Sequence, residues 1–205
     1  MKLSAFELKK LPLFLVIPSF MFLSTCKNSS SSAAAGVSVE EVNIYQTDNS
    51  YGNAVIGNRT NSNSFCEDTY TTNQVAWGIS CTNFVSLLGY STDNGIVDLP
   101  TNYGVPTDVP FVSLDDVEIA SNWSDLIDDR DITMEGTGMT GNLVWTGFNS
   151  NGVAEVNCLD WISSSGGEVG KASQINAAVT PGSWNSGVAS NCSIGTSLPI
   201  LCLCW

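Results

Sequence analysis

Val109-Pro-Phe-Val-Ser-Leu-Asp-Asp-Val-Glu-Ile-Ala-Ser-Asn-Trp-Ser-Asp-Leu-Ile127 says more about the architecture of this chain than any other segment. It opens on a short apolar run at 109–112 and closes on Asn122-Trp-Ser-Asp-Leu126-Ile127. The closing piece reads as a helix of one or two turns. An Asn or Ser just ahead of a helix can accept a hydrogen bond from one of its first, otherwise unpartnered N–H groups. A strand-sized piece and a helix inside so short a span predict a mixed α+β domain.

Working outward, Val42-Asn-Ile-Tyr-Gln46 alternates apolar and polar, the period of a strand. Residues 47–64 are rich in Asn, Gly, Ser and Thr and are expected to loop. Residues 65–70 fit a short helix, capped by Asn or Ser near 61–64. Residues 79–88 read as a core strand, and so does Leu143-Val-Trp-Thr146. Asn149-Ser-Asn-Gly152 is turn chemistry. From 163 to 197 the chain is mostly Ser, Gly, Asn and Ala, with few strand formers. Leu198-Pro-Ile-Leu-Cys-Leu-Cys-Trp205 reads as a closing strand. The expectation is a loop-rich mixed sheet with short helices.

The amino terminus has a different character. Lys2, Lys9 and Lys10 precede an apolar run of about a dozen residues, shorter than the 20 or so that span a bilayer. Leu23-Ser-Thr-Cys26 fits a lipoprotein cleavage box, so residues 1–25 are expected to be a signal peptide and Cys26 the site of lipidation. Plain secretion with Cys26 unpaired is the alternative. A lipid anchor gains about 0.8 kcal/mol for each buried CH₂. Residues 26–38 hold Ser, Ala and Asn and almost no bulky apolar side chain, so they read as a flexible tether. Residues 39–205 then form one domain.

Beyond Cys26 the cysteines are Cys66, Cys81, Cys158, Cys192, Cys202 and Cys204. An even set in an exported chain implies disulfides, and six cysteines alone allow 15 pairings. After cleavage Lys27, Arg59, Arg130 and Lys171 face nineteen carboxylates (the chain's twenty less Glu7), a formal charge of −15. Nucleic acid is thereby excluded as a partner, because its binding depends on Lys and Arg displacing counterions. The chain has no histidine. Ser-His-Asp and Cys-His catalysis and histidine-ligated zinc are therefore excluded. No Walker loop, dinucleotide fingerprint, heptad run or internal repeat is present.

In order along the chain, these pieces resemble the endostatin domain of collagens. The segment 109–127 resembles that family's run into a helix opened by Trp. Gly52-Asn53 with Phe65-Cys66, then Val144-Trp145-Thr-Gly147, Asn151-Gly152, Cys158-Leu-Asp-Trp161, Ser190-Asn-Cys192 and Leu198-Pro-Ile-Leu-Cys202 resemble further family segments. The resemblance covers roughly residues 42–205 and implies a C-type-lectin-like fold. Spirochaete lipoproteins carrying such a domain also resemble this chain in its leader, which implies a lipid-anchored protein of the bacterial outer membrane, at the cell surface. The family pattern implies bridges Cys66–Cys202 and Cys158–Cys192. Cys81 and Cys204 depart from the family, and with the other four so paired they are left to each other.

The resemblance also bears on sites. The family's zinc ligands are histidines and its heparin surface is arginine-rich. Here there is no histidine, and the matching region holds Asp115, Asp116, Glu118 and Asp125, so neither zinc nor heparin is expected. Trp184-Asn185-Ser186 resembles the Trp-Asn-Asp of calcium-dependent lectins, but its third position is not acidic and no Glu-Pro-Asn or Gln-Pro-Asp occurs. Trp184 and Asn185 are the ligand-binding candidates, Trp184 either as an exposed anchor or as a plug beneath a loop. Trp123, Trp145 and Trp161 read as core. Asp125, Asp128, Asp129 and Asp131 match no calcium loop and read as a solvated acidic face. No metal or cofactor is expected. Asp115/Asp116 would need to face each other across a cleft to act as glycosidase carboxylates, which adjacency does not provide. The expected function is non-catalytic binding of a host matrix protein or glycan. The alternative is a structural envelope lipoprotein that faces the periplasm or supports an outer-membrane assembly.

Overall fold

Alternation along the first strand sorts the interior into two cores. In the computed structural model, residues 39–128, 137–139, 143–175, 187–193 and 195–205 are described. All lie within the unit Val37–Trp205. The elements run β1 (Val42–Gln46), β2 (Tyr51–Gly52), α1 (Asn53–Ile56), α2 (Arg59–Trp77), β3 (Phe84–Ser86), α3 (Leu99–Tyr103), β4 (Phe111–Ser113), β5 (Glu118–Ala120) and α4 (Trp123–Ile127). They continue with β6 (Leu143–Trp145), β7 (Val169–Gln174), β8 (Val188–Asn191), β9 (Ser197–Leu198) and β10 (Leu201–Cys204). The main sheet has the order β3-β10-β1-β4-β5. Strand β10 is antiparallel to β1 and β3, and β1 is parallel to β4. Strands β6, β7 and β8 make a second, antiparallel sheet, and β2 pairs with β9.

Successive strand side chains point to opposite faces. Ile44, Leu201, Leu203 and Val85 join Phe111, Trp123, Leu126 and Phe148 in one core. Tyr45, Cys202 and Cys204 join Cys66, Cys81, Trp145 and Trp161 in the other. Three disulfides bind the second core: Cys66–Cys202, Cys81–Cys204 and Cys158–Cys192. Cys66–Cys202 and Cys158–Cys192 are the pairings the resemblance implied, and Cys81–Cys204 joins the two cysteines it left over. Trp123, Trp145 and Trp161 are all buried.

Much of the expected local structure is present. Residues 109–127 give β4, β5 and α4, with Asn122 capping α4 by accepting from the Asp125 N–H at 2.9 Å. The Gly152 N–H closes the 149–152 turn on the Asn149 carbonyl at 2.9 Å. Four expectations are corrected. Residues 47–64 are not a loop but hold β2, α1 and the start of α2. Helix α2 runs 19 residues rather than six. Asn58 caps it, and it ends at Gly78, which takes the left-handed conformation (φ 70°). Its buried residues Arg59, Ser62, Cys66, Thr69 and Tyr70 fall at helical spacing, but most are polar, so no apolar stripe announces them.

Of the strand expected at 79–88, only β3 pairs in a sheet as a named strand. The Cys81 N–H goes instead to the Tyr70 hydroxyl, and those of Thr82 and Asn83 to the Trp205 carbonyl. In 163–197 the small residues build β7, β8 and β9 instead of irregular chain, because close packing requires small side chains there. A Cβ on Gly170 would sit 2.6 Å from the Cys158 sulfur and 3.2 Å from the Trp145 ring.

The segment Cys158–Trp161 turns left-handed, with φ between 53° and 66° at four consecutive non-glycine residues. Each such residue costs about 1–2 kcal/mol, so the turn persists only where its surroundings fix it. Cys158 is bridged to Cys192. The Trp161 indole N–H donates to the Gly89 carbonyl at 3.1 Å, and the Gly57 N–H donates to the Trp161 carbonyl at 3.1 Å. The Asp160 carboxylate accepts from the Ser91 N–H (2.8 Å), the Ser91 hydroxyl and the Asn157 amide (2.6 Å). Burial pushes the Asp160 carboxyl up. The hydrogen bonds from Ser91 and Asn157 and the charge of Arg59 outweigh it and hold the carboxyl below its ordinary 3.8.

A depressed carboxyl stabilises the fold above its unfolded-state value and ceases to do so as pH falls through the folded-state value. Asp160→Asn, which keeps the left-handed preference, is therefore expected to cost about 1 kcal/mol at pH 7, low in the range for charged hydrogen bonds because the group is only partly buried. Urea titrations should show that gap shrinking below pH 3.8 and closing in stronger acid. A gap independent of pH would remove the charge from the explanation.

Candidate functional site

Where β1 runs out of the sheet it opens a cleft of about 460 Å³, within the size range of small-ligand sites. Its floor is Ile44 and Tyr45, and β1 continues through Gln46 and Thr47 to Asp48 on the rim. The Thr47 N–H donates to the Ile200 carbonyl at 3.0 Å and its hydroxyl accepts from the Ile200 N–H at 3.1 Å, which fixes this end of the strand. The last residues of α2, Ala76 and Trp77, form a wall. Trp77 leans on Tyr45, ring centroids 5.1 Å apart, and the Tyr45 hydroxyl donates to the Cys66 carbonyl at 2.8 Å. Burial, with smaller additions from Tyr70 and Glu67, drives the Tyr45 hydroxyl far above its usual value, so it stays a neutral donor.

The opposite wall is Leu114 and Asp115 from the β4–β5 turn, with residues 137–139 beside them. The turn is held by the Ser113 N–H on the Val117 carbonyl (2.9 Å) and by the Ser113 hydroxyl, which accepts from the Asp115 N–H (3.2 Å). Gly138 lies against the Asp115 carboxylate with φ 73°, and a Cβ there would come 2.2 Å from a carboxylate oxygen. Only glycine permits that approach.

The lining is rich in acceptors. Asp48 and Asp115 are exposed, and no Lys or Arg is among the lining residues. Asp48 accepts from the Asn73 amide at 2.6 Å. The Gln46 Oε1 is buried and accepts no hydrogen bond from the protein. An orphaned buried acceptor costs about 1–3 kcal/mol, and this one has no surface open to the cleft. The site can therefore hold a group through an aromatic side chain and two exposed carboxylates.

The sequence-derived sites are distributed unevenly about this cleft. Trp184, Asn185 and the lipidation site Cys26 lie outside the described residues, as do Asp129 and Asp131. Asp115 lines the cleft, whereas Asp116 occupies the tip of the turn with φ 56°. Asp125 serves the start of α4, accepting from the Ser121 hydroxyl and from the Asn122 amide at 2.9 Å. Among the described residues no group of three or more Asp, Glu, Cys or His could hold a metal ion. Trp77 and Asp48 went unnoticed in the sequence; a Trp immediately before a helix-ending Gly was the one local signal. Compared with known families and with curated proteins, the chain matches no family model and no curated sequence.

Proposed function

We propose that this chain is a lipid-anchored surface protein whose domain binds a host matrix protein or glycan, without catalysis, in the cleft between β1, the end of α2 and the β4–β5 turn. The observation that carries the reading is the cleft itself, with Trp77 as a wall and Asp48 and Asp115 offering acceptors on a disulfide-braced frame. A rigid frame limits the entropy lost on binding. The central pairing of β1 with β10, together with the three bridges, supports an endostatin-like, C-type-lectin-like domain. Cys26 supplies the outer-membrane anchor, and residues 26–38 the spacer.

The test is a binding screen of the oxidised chain against matrix proteins and glycans, with Trp77→Ala as the site variant. Saturable binding that Trp77→Ala abolishes, with its thermal unfolding still cooperative, is the expected result. Binding that Trp77→Ala leaves intact would move the site away from the cleft. No binding across the panel would sink the proposal in favour of a structural role in the envelope.

A further inference from the structure

Resting on that binding reading, we infer that the cleft takes the guanidinium group of an arginine in a protein partner, not a sugar. The argument begins with charge. The two charged side chains at the rim, Asp48 and Asp115, are both carboxylates, and among the described residues nothing basic lines the cleft. The cations of the described residues are committed elsewhere, Arg59 to Asp93 at 2.8 Å and Lys171 to Glu155 at 2.6 Å. The field in the cleft is therefore negative, and low-dielectric walls focus it.

Geometry and chemistry narrow the cation. A Ca²⁺ or Mg²⁺ ion takes six or more oxygen ligands, and the described residues gather no group of even three acidic side chains there. A sugar hydroxyl both donates and accepts and so gains from donors beside acceptors, whereas among the described lining residues the charged groups are acceptors alone. A guanidinium donates through five N–H groups and accepts nothing, which suits a cleft whose two charged side chains, Asp48 and Asp115, are both exposed acceptors. Its flat face also stacks on an indole, and Trp77 stands in the wall. A lysine ammonium satisfies the charge but not the planar stack.

The experiment titrates a Gly-Ser peptide bearing spaced arginines, and the same peptide with citrulline, into the full oxidised chain. Tryptophan fluorescence and calorimetry follow the binding. The arginine peptide is expected to bind and the citrulline peptide to bind at least roughly tenfold more weakly, since citrulline keeps the shape but not the charge. Asp115→Asn and Asp48→Asn should each weaken the arginine peptide by roughly threefold to tenfold. Trp77→Leu should remove most of the fluorescence change.

Because the chain is strongly acidic, Asp108→Asn is the control: this residue is exposed and lies off the cleft. If Asp108→Asn weakens binding as much as Asp115→Asn does, the attraction is diffuse and the inference falls. Equal binding of the two peptides overturns it as well. If a neutral glycan binds and Trp77→Leu abolishes it while the arginine peptide fails, the guanidinium is wrong and the binding reading stands. If neither peptide nor any member of the matrix and glycan panel binds, both fall together.

Discussion

Arg59→Met lowers the stability of the domain by about 3–5 kcal/mol, the range for stripping one partner from a buried ion pair. Arg59 is only 7% exposed. Its Nε donates to Asp93 at 2.8 Å, its Nη1 to the Ser86 carbonyl at 2.6 Å and hydroxyl at 3.0 Å, and its Nη2 to the Leu88 carbonyl at 2.6 Å. The Tyr90 ring lies beneath it, 4.3 Å from the guanidinium carbon to the ring centroid. One side chain thus ties the first residue of α2 to the end of β3 and to the Ser91–Asp93 turn. Removing it leaves the buried Asp93 carboxylate with only the Asn102 amide (3.1 Å) and the more distant Tyr103 hydroxyl, and strips the Ser86 and Leu88 carbonyls of this donor. Arg59→Met combined with Asp93→Leu should recover most of the loss, because apolar replacement of a whole buried pair is close to neutral. Guanidinium denaturation reads both through the midpoint at constant m. A single-variant loss under about 1 kcal/mol would mean the pair adds little beyond packing.

The second large effect concerns the two bridges to β10, and it is not additive. Cys66–Cys202 spans 136 residues, so in the loop-entropy account it alone is worth about 5 kcal/mol. Cys81 lies fifteen residues after Cys66, and Cys204 two after Cys202. Once one bridge is closed, the other therefore closes a loop of only about 17 residues, worth about 3 kcal/mol. Removing either pair by Cys→Ala is expected to cost about 3 kcal/mol, and removing both about 8 kcal/mol, more than the sum of the singles. The larger figure rivals the whole stability of an ordinary domain, so the quadruple variant should be unfolded by circular dichroism at 25 °C. Strict additivity, or a quadruple variant that still melts cooperatively, would show that the reduced chain is already compact around these cysteines.

How far the sequence disclosed this fold depended on which physical signal each element carries. Strand β1 and the 109–127 segment were legible because apolar alternation and a capping Asn act through neighbours in sequence. Helix α2 was legible only as a fragment. Its inward side includes Arg59 and Ser62, and what makes those two tolerable inside is Asp93 and Ser86, far along the chain. Strand β7 hides its role because Gly170, Ala172 and Ser173 are small for the sake of Cys158, Trp145 and their surroundings, and not for strand propensity. The left-handed turn at Cys158–Trp161 contains no Gly or Asn to advertise it. The cleft draws on four separate segments, so no window of sequence contains it, and Trp77 lay beyond the short helix read at 65–70.

The position of β10 also sets a timetable. Both bridges that weld it to α2 and to the approach of β3 await Cys202 and Cys204, whereas Cys158–Cys192 needs nothing beyond residue 192. The central sheet likewise lacks its second strand until residues 201–204 arrive. During synthesis, then, Cys66 and Cys81 stand without their native partners, and β1 without its antiparallel neighbour, until residues 201–204 have been made. Native oxidation at those two sites is a late event that waits on β10, whereas the Cys158–Cys192 bridge can close before it.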